Sequence, residues 1–179
     1  MDRRDFLRGA VGLLAVPAFF AASLRRLTAQ TGQATGDMTS DIAPLEKSDE
    51  DWRRLLTPEQ YDVLRREGTE RAFTSPLNDE KRAGTFLCAG CFLPLFESST
   101  KYDSGTGWPS FYQSIEGRVA TSTDFRIGYP RTEYHCARCS GHQGHIFDDG
   151  PQPTGKRFCN NGVALSFVPE GEDLPELRS

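Results

Sequence analysis

The sequence predicts a mainly β domain of antiparallel strands, entered through two short helices, and three observations support this. After Gly68 come short apolar or alternating runs, "GTFLCAGC", "CFLPLFES", "GRVATSTDFRI", "RTEYHCARC" and "VALSFVPE", separated by Gly, Pro, Asn and Asp. Before Gly68 stand two capping signals, each followed by a short helical pattern. Aromatic residues make up 11% of the chain, within a hydrophobic fraction of 37%, which suits a compact β-rich core.

The chain opens with "MDRRDFLRGAVGLLAVPAFFAASLRRLTAQ". Arg3-Arg4 is a twin arginine, and the sixteen residues from Gly9 to Leu24 carry no charge and include Pro17. A membrane span needs about twenty residues, whereas this length suits the apolar region of a signal peptide. The pattern R-R-D-F-L-R resembles the twin-arginine export signal of bacteria, whose pathway carries folded proteins. Residues 1–29 are therefore expected to direct the protein to the periplasm, with transient membrane contact. They would act as an anchor where they are not cleaved. Residues 30–47 lack aromatics, are rich in Thr, Gly, Asp and Ser, and read as a flexible linker.

Charge narrows the partners. The whole chain carries -4, but residues 30–179 hold 16 of the 21 basic and 23 of the 25 acidic residues, a net -7. That acidity argues against a nucleic-acid partner.

Each element of residues 48–169 has a local reason. Ser48 caps "DEDWRRLL", which places Trp52, Leu55 and Leu56 on one face. Thr57 caps the next helix, with Pro58 at its first position and Gln60 completing a capping box. Leu56 and Tyr61 are spaced as a hydrophobic staple, and Gly68 is expected to supply the left-handed residue that ends the helix. The strands follow, and residues 170–179 read as a mobile acidic tail.

Four of the five cysteines form two C-x-x-C pairs, Cys88–Cys91 and Cys136–Cys139. Two such knuckles offer four thiolates, a closed tetrahedral zinc site that is structural because no position stays open. The 44 residues from 92 to 135 are long for a zinc ribbon, so the site is expected to clamp distant parts of the sheet. Three alternatives compete: disulfides, which an oxidising compartment favours; a thioredoxin-like redox pair; and recruitment of His142 or His145 as ligands.

Cys159 remains. In an extended segment Arg157, Cys159 and Asn161 share one face, and a guanidinium near a sulfur favours the nucleophilic thiolate. The alternative is an inert cysteine buried in a strand. "SGHQGHIFDDG" supplies His142 and His145 as candidate proton donors, or as ordinary surface or core residues. "SGTGWPSF" adds Trp108 and Phe111, either as a wall for an apolar methyl group or as packing beneath a loop.

These pieces resemble the methionine-R-sulfoxide reductases, the MsrB family. The resemblance rests on "YDSGTGWPSF", "HCARCSGHQGHIFDDGPQPTGKRFCNNGVALSF", "GTERAFTSPLNDEKRAGTFLCAGC" and the two C-x-x-C pairs, and it spans roughly residues 50–168. It implies a β-tent of two antiparallel sheets, with structural zinc on Cys88, Cys91, Cys136 and Cys139. It also implies that Cys159 attacks the sulfoxide and becomes a sulfenic acid, in repair of oxidised proteins. By the same resemblance His142 and His145 assist protonation, Arg157 sets the thiolate, Asn161 orients the site, and Trp108 cages the substrate methyl. Many members carry a resolving cysteine where this chain has Thr106. The chain is therefore expected to be a one-cysteine type, reset by an external thiol such as a thioredoxin-like reductant. A zinc-stabilised binding module is the competing function, and it would have no need of Cys159 with two histidines.

Overall fold

A computed structural model describes residues 42–179. The twin-arginine segment and most of the 30–47 stretch lie outside the described residues. No helix among the described residues is long and apolar enough to cross a membrane.

Helix α1, Asp49–Leu55, starts at Ser48, whose hydroxyl accepts the Asp51 backbone N–H at 3.1 Å. Asp49, Glu50 and Asp51 occupy its first turn and Arg53 and Arg54 its last, complementing the helix dipole. Trp52 and Leu56 are buried, but Leu55 is 41% exposed. The helix ends at Leu55, and Leu56, already extended, takes the inward position. Helix α2, Pro58–Arg66, carries the expected capping box. Thr57 Oγ1 accepts from Gln60 N at 3.2 Å, and Gln60 Oε1 accepts from Thr57 N at 3.1 Å. Its left-handed terminator is Glu67, with φ 56°, and not Gly68. Gly68 leaves room for the Asp62 side chain, whose Oδ2 would lie 2.1 Å from a Cβ at that position.

Nine strands follow: β1 Gly84–Cys88, β2 Pro94–Glu97, β3 Lys101–Tyr102, β4 Ser110–Phe111, β5 Val119–Asp124, β6 Arg131–Cys136, β7 His142–Phe147, β8 Arg157–Asn160 and β9 Leu165–Pro169. They form two antiparallel sheets, one in the order β2-β1-β9 and one in the order β3-β4-β8-β7-β6-β5. The fold is mainly β with two short helices, as the sequence predicts.

The sheets meet over rings. Phe96 of β2 stacks on Phe111 of β4 at 4.2 Å, and Phe86 of β1 meets Phe111 edge-on at 5.0 Å. Tyr134 of β6 and Phe158 of β8 close the cluster at 5.3 Å. Edge and offset ring pairs contribute about 0.5–1.5 kcal/mol each beyond the area they bury.

Both ends of the described chain dock on this body. Ile42 and Leu45 pack against the core, and Leu45 N donates to Arg138 O at 2.7 Å, so the last part of the expected linker belongs to the folded unit. Residues 170–177 are exposed, but near the end of the acidic tail Arg178 N donates to Cys91 O at 3.2 Å, and its guanidinium lies 4.1 Å over the Phe92 ring.

Candidate active site and metal centre

Each C-x-x-C knuckle begins at the end of a strand in a different sheet, Cys88 on β1 and Cys136 on β6. The two knuckles close alike. Phe92 N donates to Cys88 O at 2.8 Å and Ser140 N to Cys136 O at 2.9 Å, with Phe92 and Ser140 both left-handed. The four buried sulfurs all lie within 4.8 Å of one another. The near pairs cross between knuckles, Cys88–Cys139 at 3.7 Å and Cys91–Cys136 at 3.5 Å. A disulfide would need about 2.05 Å. Sulfurs on a tetrahedral zinc, with bonds of about 2.3 Å, sit about 3.8 Å apart, so the donor set fits a metal ion. His142 and His145 are not part of this cluster; their ring nitrogens face carboxylates on strands β5 and β6.

Strand register assembles the second site. Cys159 on β8 pairs directly with His145 on β7 and with Ser110 on β4. Arg157 pairs with Phe147, and Glu133 on β6 with His145. Opposed residues share a face and alternate residues return to it. One face of the large sheet therefore presents Asp124, Glu133, His145, Phe147, Arg157 and Cys159, and the other carries buried Tyr134 and Phe111 with partly buried Phe158. Gly144 permits this close pairing: a Cβ on it would lie 1.9 Å from Cys159 O.

His142, three residues before His145, would fall on the opposite face of a regular strand. A β-bulge corrects this. Tyr134 pairs with Gly144 but His135 pairs with His142, leaving Gln143 as the extra residue on β7. Both histidine rings thus reach the site face, 5.5 Å apart.

Carboxylates hold both rings. His142 Nδ1 lies 2.8 Å from Glu133 Oε1, His135 Nδ1 2.9 Å from Glu133 Oε2, and His145 Nε2 2.8 Å from Asp124 Oδ2. Burial pushes the Glu133 carboxyl up, but hydrogen bonds from His135, His142 and Ser122 hold it at about 2. The Arg126 backbone N–H, with His145 and Arg131, holds Asp124 far below the usual carboxylate range. Burial keeps His145 below its ordinary value against the pull of Asp124, and the Arg131 charge adds to the lowering. With its Nε2 donating to ionised Asp124, neutral His145 has Nδ1 as its bare nitrogen.

Burial raises the Cys159 thiol above its ordinary value. The Arg157 charge and hydrogen bonds with Thr106 and Arg157 oppose this without overcoming it. Arg157 pulls towards the thiolate, the direction the sequence suggests, and burial outweighs it in the resting protein. Arg157 is clamped by Asp149, to which its Nε and Nη2 donate at 2.8 and 2.9 Å, and it lies 4.3 Å over the Phe147 ring.

A cavity of about 120 Å³ opens over Cys159, lined by Trp108, Arg131, His145, Phe147 and Asn161 among others. Trp108 Nε1 donates to Glu70 O at 3.1 Å, which fixes the indole. Asn161 is nearly fully buried; its Nδ2 donates to Gln143 O at 3.0 Å and its Oδ1 accepts from Glu70 N at 3.0 Å. His142 stands beside the cavity, in an adjoining cleft that shares His145 and Arg131 with it. Phe111, expected as a substrate contact, is fully buried in the ring cluster on the far face of the sheet. Strand alternation sends Ser110, not Phe111, towards Cys159.

Sequence reasoning passed over Asp124, Glu133, Asp149, Arg131 and Glu70. Asp124, Arg131 and Glu133 share a face through the pairing of β5 with β6, and register alone says which histidine each meets. Glu70 has no local signal: its carboxylate accepts the backbone N–H groups of Gly162 and Val163, more than ninety residues away.

The SelR domain family matches residues 56–169. The chain is similar to the peptide methionine sulfoxide reductase MsrB of Leifsonia xyli subsp. xyli, 55% identical over 130 residues, covering 72% of this chain and 94% of that protein. It is similar to the protein of the same name from Pseudomonas putida, 56% identical over 126 residues, 70% of this chain and 95% of the relative. The Methanosarcina barkeri MsrB is 52% identical over 129 residues, with 72% and 91% covered.

Proposed function

The chain belongs to the MsrB family of peptide methionine sulfoxide reductases, carried by its SelR domain, and we propose that it reduces the R epimer of methionine sulfoxide in oxidised proteins through Cys159. The observation that carries this mechanism is the register that sets Cys159 opposite His145 beneath a cavity walled by Trp108.

The resting thiol is protonated, and bare Nδ1 of neutral His145 is suited to take its proton. The Cys159 sulfur attacks the sulfoxide, the proton passes to the sulfoxide oxygen, and the S–O bond to the substrate breaks. Methionine leaves and Cys159 becomes a sulfenic acid. The substrate sulfur gains two electrons, Cys159 loses two, and the thiol hydrogen ends on the transferred oxygen. Trp108 and Phe147 form the apolar wall for the methyl group. His142, held by Glu133, is placed to support the proton on the oxygen, and Asn161 holds the end of β8. The Arg157–Asp149 clamp keeps a positive charge beside the sulfur as it ionises.

Thr106 stands where many members place a resolving cysteine, so an external thiol is needed. One thiol forms a mixed disulfide with Cys159 and releases water, and a second frees Cys159. Cys88, Cys91, Cys136 and Cys139 would hold a structural zinc, which supplies a cross-link between the sheets and has no open coordination position. The Arg3-Arg4 segment supports action in the cell envelope.

The test is methionine release from peptides carrying each epimer, with a chemical dithiol. Release from the R epimer only, abolished by Cys159→Ser, is expected. Turnover of the S epimer alone, or an active Cys159→Ser variant, sinks the reading.

A further inference from the structure

Gln143 is the bulged residue of β7 and is fully buried. A buried amide is retained only where its donors and acceptors are met, since leaving one unmet is costly. Its partners lie in two places. Gln143 Nε2 donates to the Cys88 sulfur at 3.4 Å and to Gly141 O at 3.5 Å, both at the knuckles. Its Oε1 accepts from Asn160 Nδ2 at 3.4 Å, beside Cys159. Its backbone carbonyl accepts from Asn161 N at 2.9 Å and Asn161 Nδ2 at 3.0 Å. One side chain therefore spans the gap between a metal-site sulfur and the strand that carries the nucleophile. The bulge that turns His142 to the site face is what sends Gln143 inward to make this span.

We propose that Gln143 is a positioning residue that couples the four-cysteine metal site to Cys159. The coupling rests on reading the cysteines as a metal site and Cys159 as the reacting thiol. An N–H donated to a metal-bound thiolate draws charge from that sulfur and slows its exchange for an outside ligand. The same amide, fixed at that end, holds Asn160 through its Oε1 and with it the exit of β8, next to Cys159. Disturbance of the knuckle is thereby transmitted to the nucleophile strand without either site touching the other.

Three measurements test this, none requiring sulfoxide turnover. In the wild-type protein loaded with cadmium-113, the Gln143 side-chain amide is expected to show a through-hydrogen-bond proton–cadmium correlation; its absence overturns the proposal. In Gln143→Met, which keeps the length and removes both polar ends, a chromogenic chelator is expected to withdraw the metal about tenfold faster. In the same folded variant, iodoacetamide at fixed pH is expected to alkylate Cys159 at least threefold faster, read by peptide mapping. A folded variant that matches wild type in either rate overturns the coupling, because a residue that merely packs would lower the melting temperature and leave one or both rates unchanged. Gln143→Leu serves if Gln143→Met does not fold, and the cadmium correlation decides if neither does. Methionine release by the wild type is measured separately, so failure of the reductase mechanism and failure of the coupling are distinguishable.

Discussion

Cys159 is a thiol whose surroundings pull two ways. Burial raises it, and Arg157 and Thr106 lower it. Its reactivity in the absence of substrate is expected to be low at neutral pH, with an alkylation midpoint above the 9.0 of an ordinary thiol. A midpoint below that value, read from iodoacetamide rates across pH, would mean the thiolate is preformed. Thr106 is the second decisive residue here. It stands close enough to Cys159 to lower its thiol, so a thiol at the same position is expected to come within range of the sulfenic acid. After one turnover without reductant, the wild type is expected to keep a dimedone-reactive Cys159. Thr106→Cys is expected to lose that labelling and gain an intramolecular disulfide by mass spectrometry. A wild-type disulfide from Cys159 to any other cysteine would exclude the one-cysteine route. Both residues are legible in the chain, Cys159 as the cysteine left over from pairing and Thr106 as a departure from a motif. Asp149 and Glu70 are not, because nothing local distinguishes a carboxylate that will meet a distant arginine or a pair of distant backbone N–H groups.

At the scale of elements, strands β5, β6 and β7 form a charged lattice rather than a set of independent side chains. Glu133 sits between His135, His142 and Ser122, and its carboxyl is held at about 2 against an ordinary 4.5. A depressed carboxyl contributes stability that is full above about pH 4.5 and is lost as pH falls towards 2. The corresponding ceiling is ~3 kcal/mol. Glu133→Gln is expected to flatten that acid limb in urea denaturation across pH; an unchanged limb would remove Glu133 as its source. The helix starts are readable to the individual cap, since Ser48, Thr57, Pro58 and Gln60 act within one turn, whereas the left-handed stop of α2 falls at Glu67, one residue before the expected Gly68. Strand β7 was not readable as a strand. "HQGHIF" has polar residues where alternation asks for apolar ones, and its bulge at Gln143 breaks the period that would have revealed it. The inward face of Phe111 is hidden for the related reason that a two-residue strand is too short to show which way it faces.

On the scale of the whole molecule, the two sheets are joined by the aromatic cluster on one side and by four cysteines on another. The knuckles also collect both ends of the described residues, with Leu45 on Arg138 and Arg178 on Cys91. Structural zinc contributes about 10–16 kcal/mol in small metal-dependent folds, comparable to the ~5–15 kcal/mol net stability of a domain. Stripping the metal under reducing conditions is therefore expected to abolish the cooperative thermal transition, and re-adding zinc to restore it, as followed by circular dichroism. One metal per chain is expected in the same sample, with Cys159 the one cysteine alkylated at high pH while the metal is bound. A melting curve indifferent to the chelator would show that the rings alone hold the sheets together.

The sequence by itself determined the fold class, the helix N-caps, the four-cysteine set and the cysteine outside it. Each of these is a matter of residue type at short spacing, which local sterics and metal valence govern. The tertiary structure decided which carboxylate holds which histidine, that His142 reaches the site face at all, and that Phe111 does not. It also decided that Gln143 lies between the two sites. Those outcomes depend on antiparallel register and on one bulge, and a shift of one residue in register reverses every side chain on a strand.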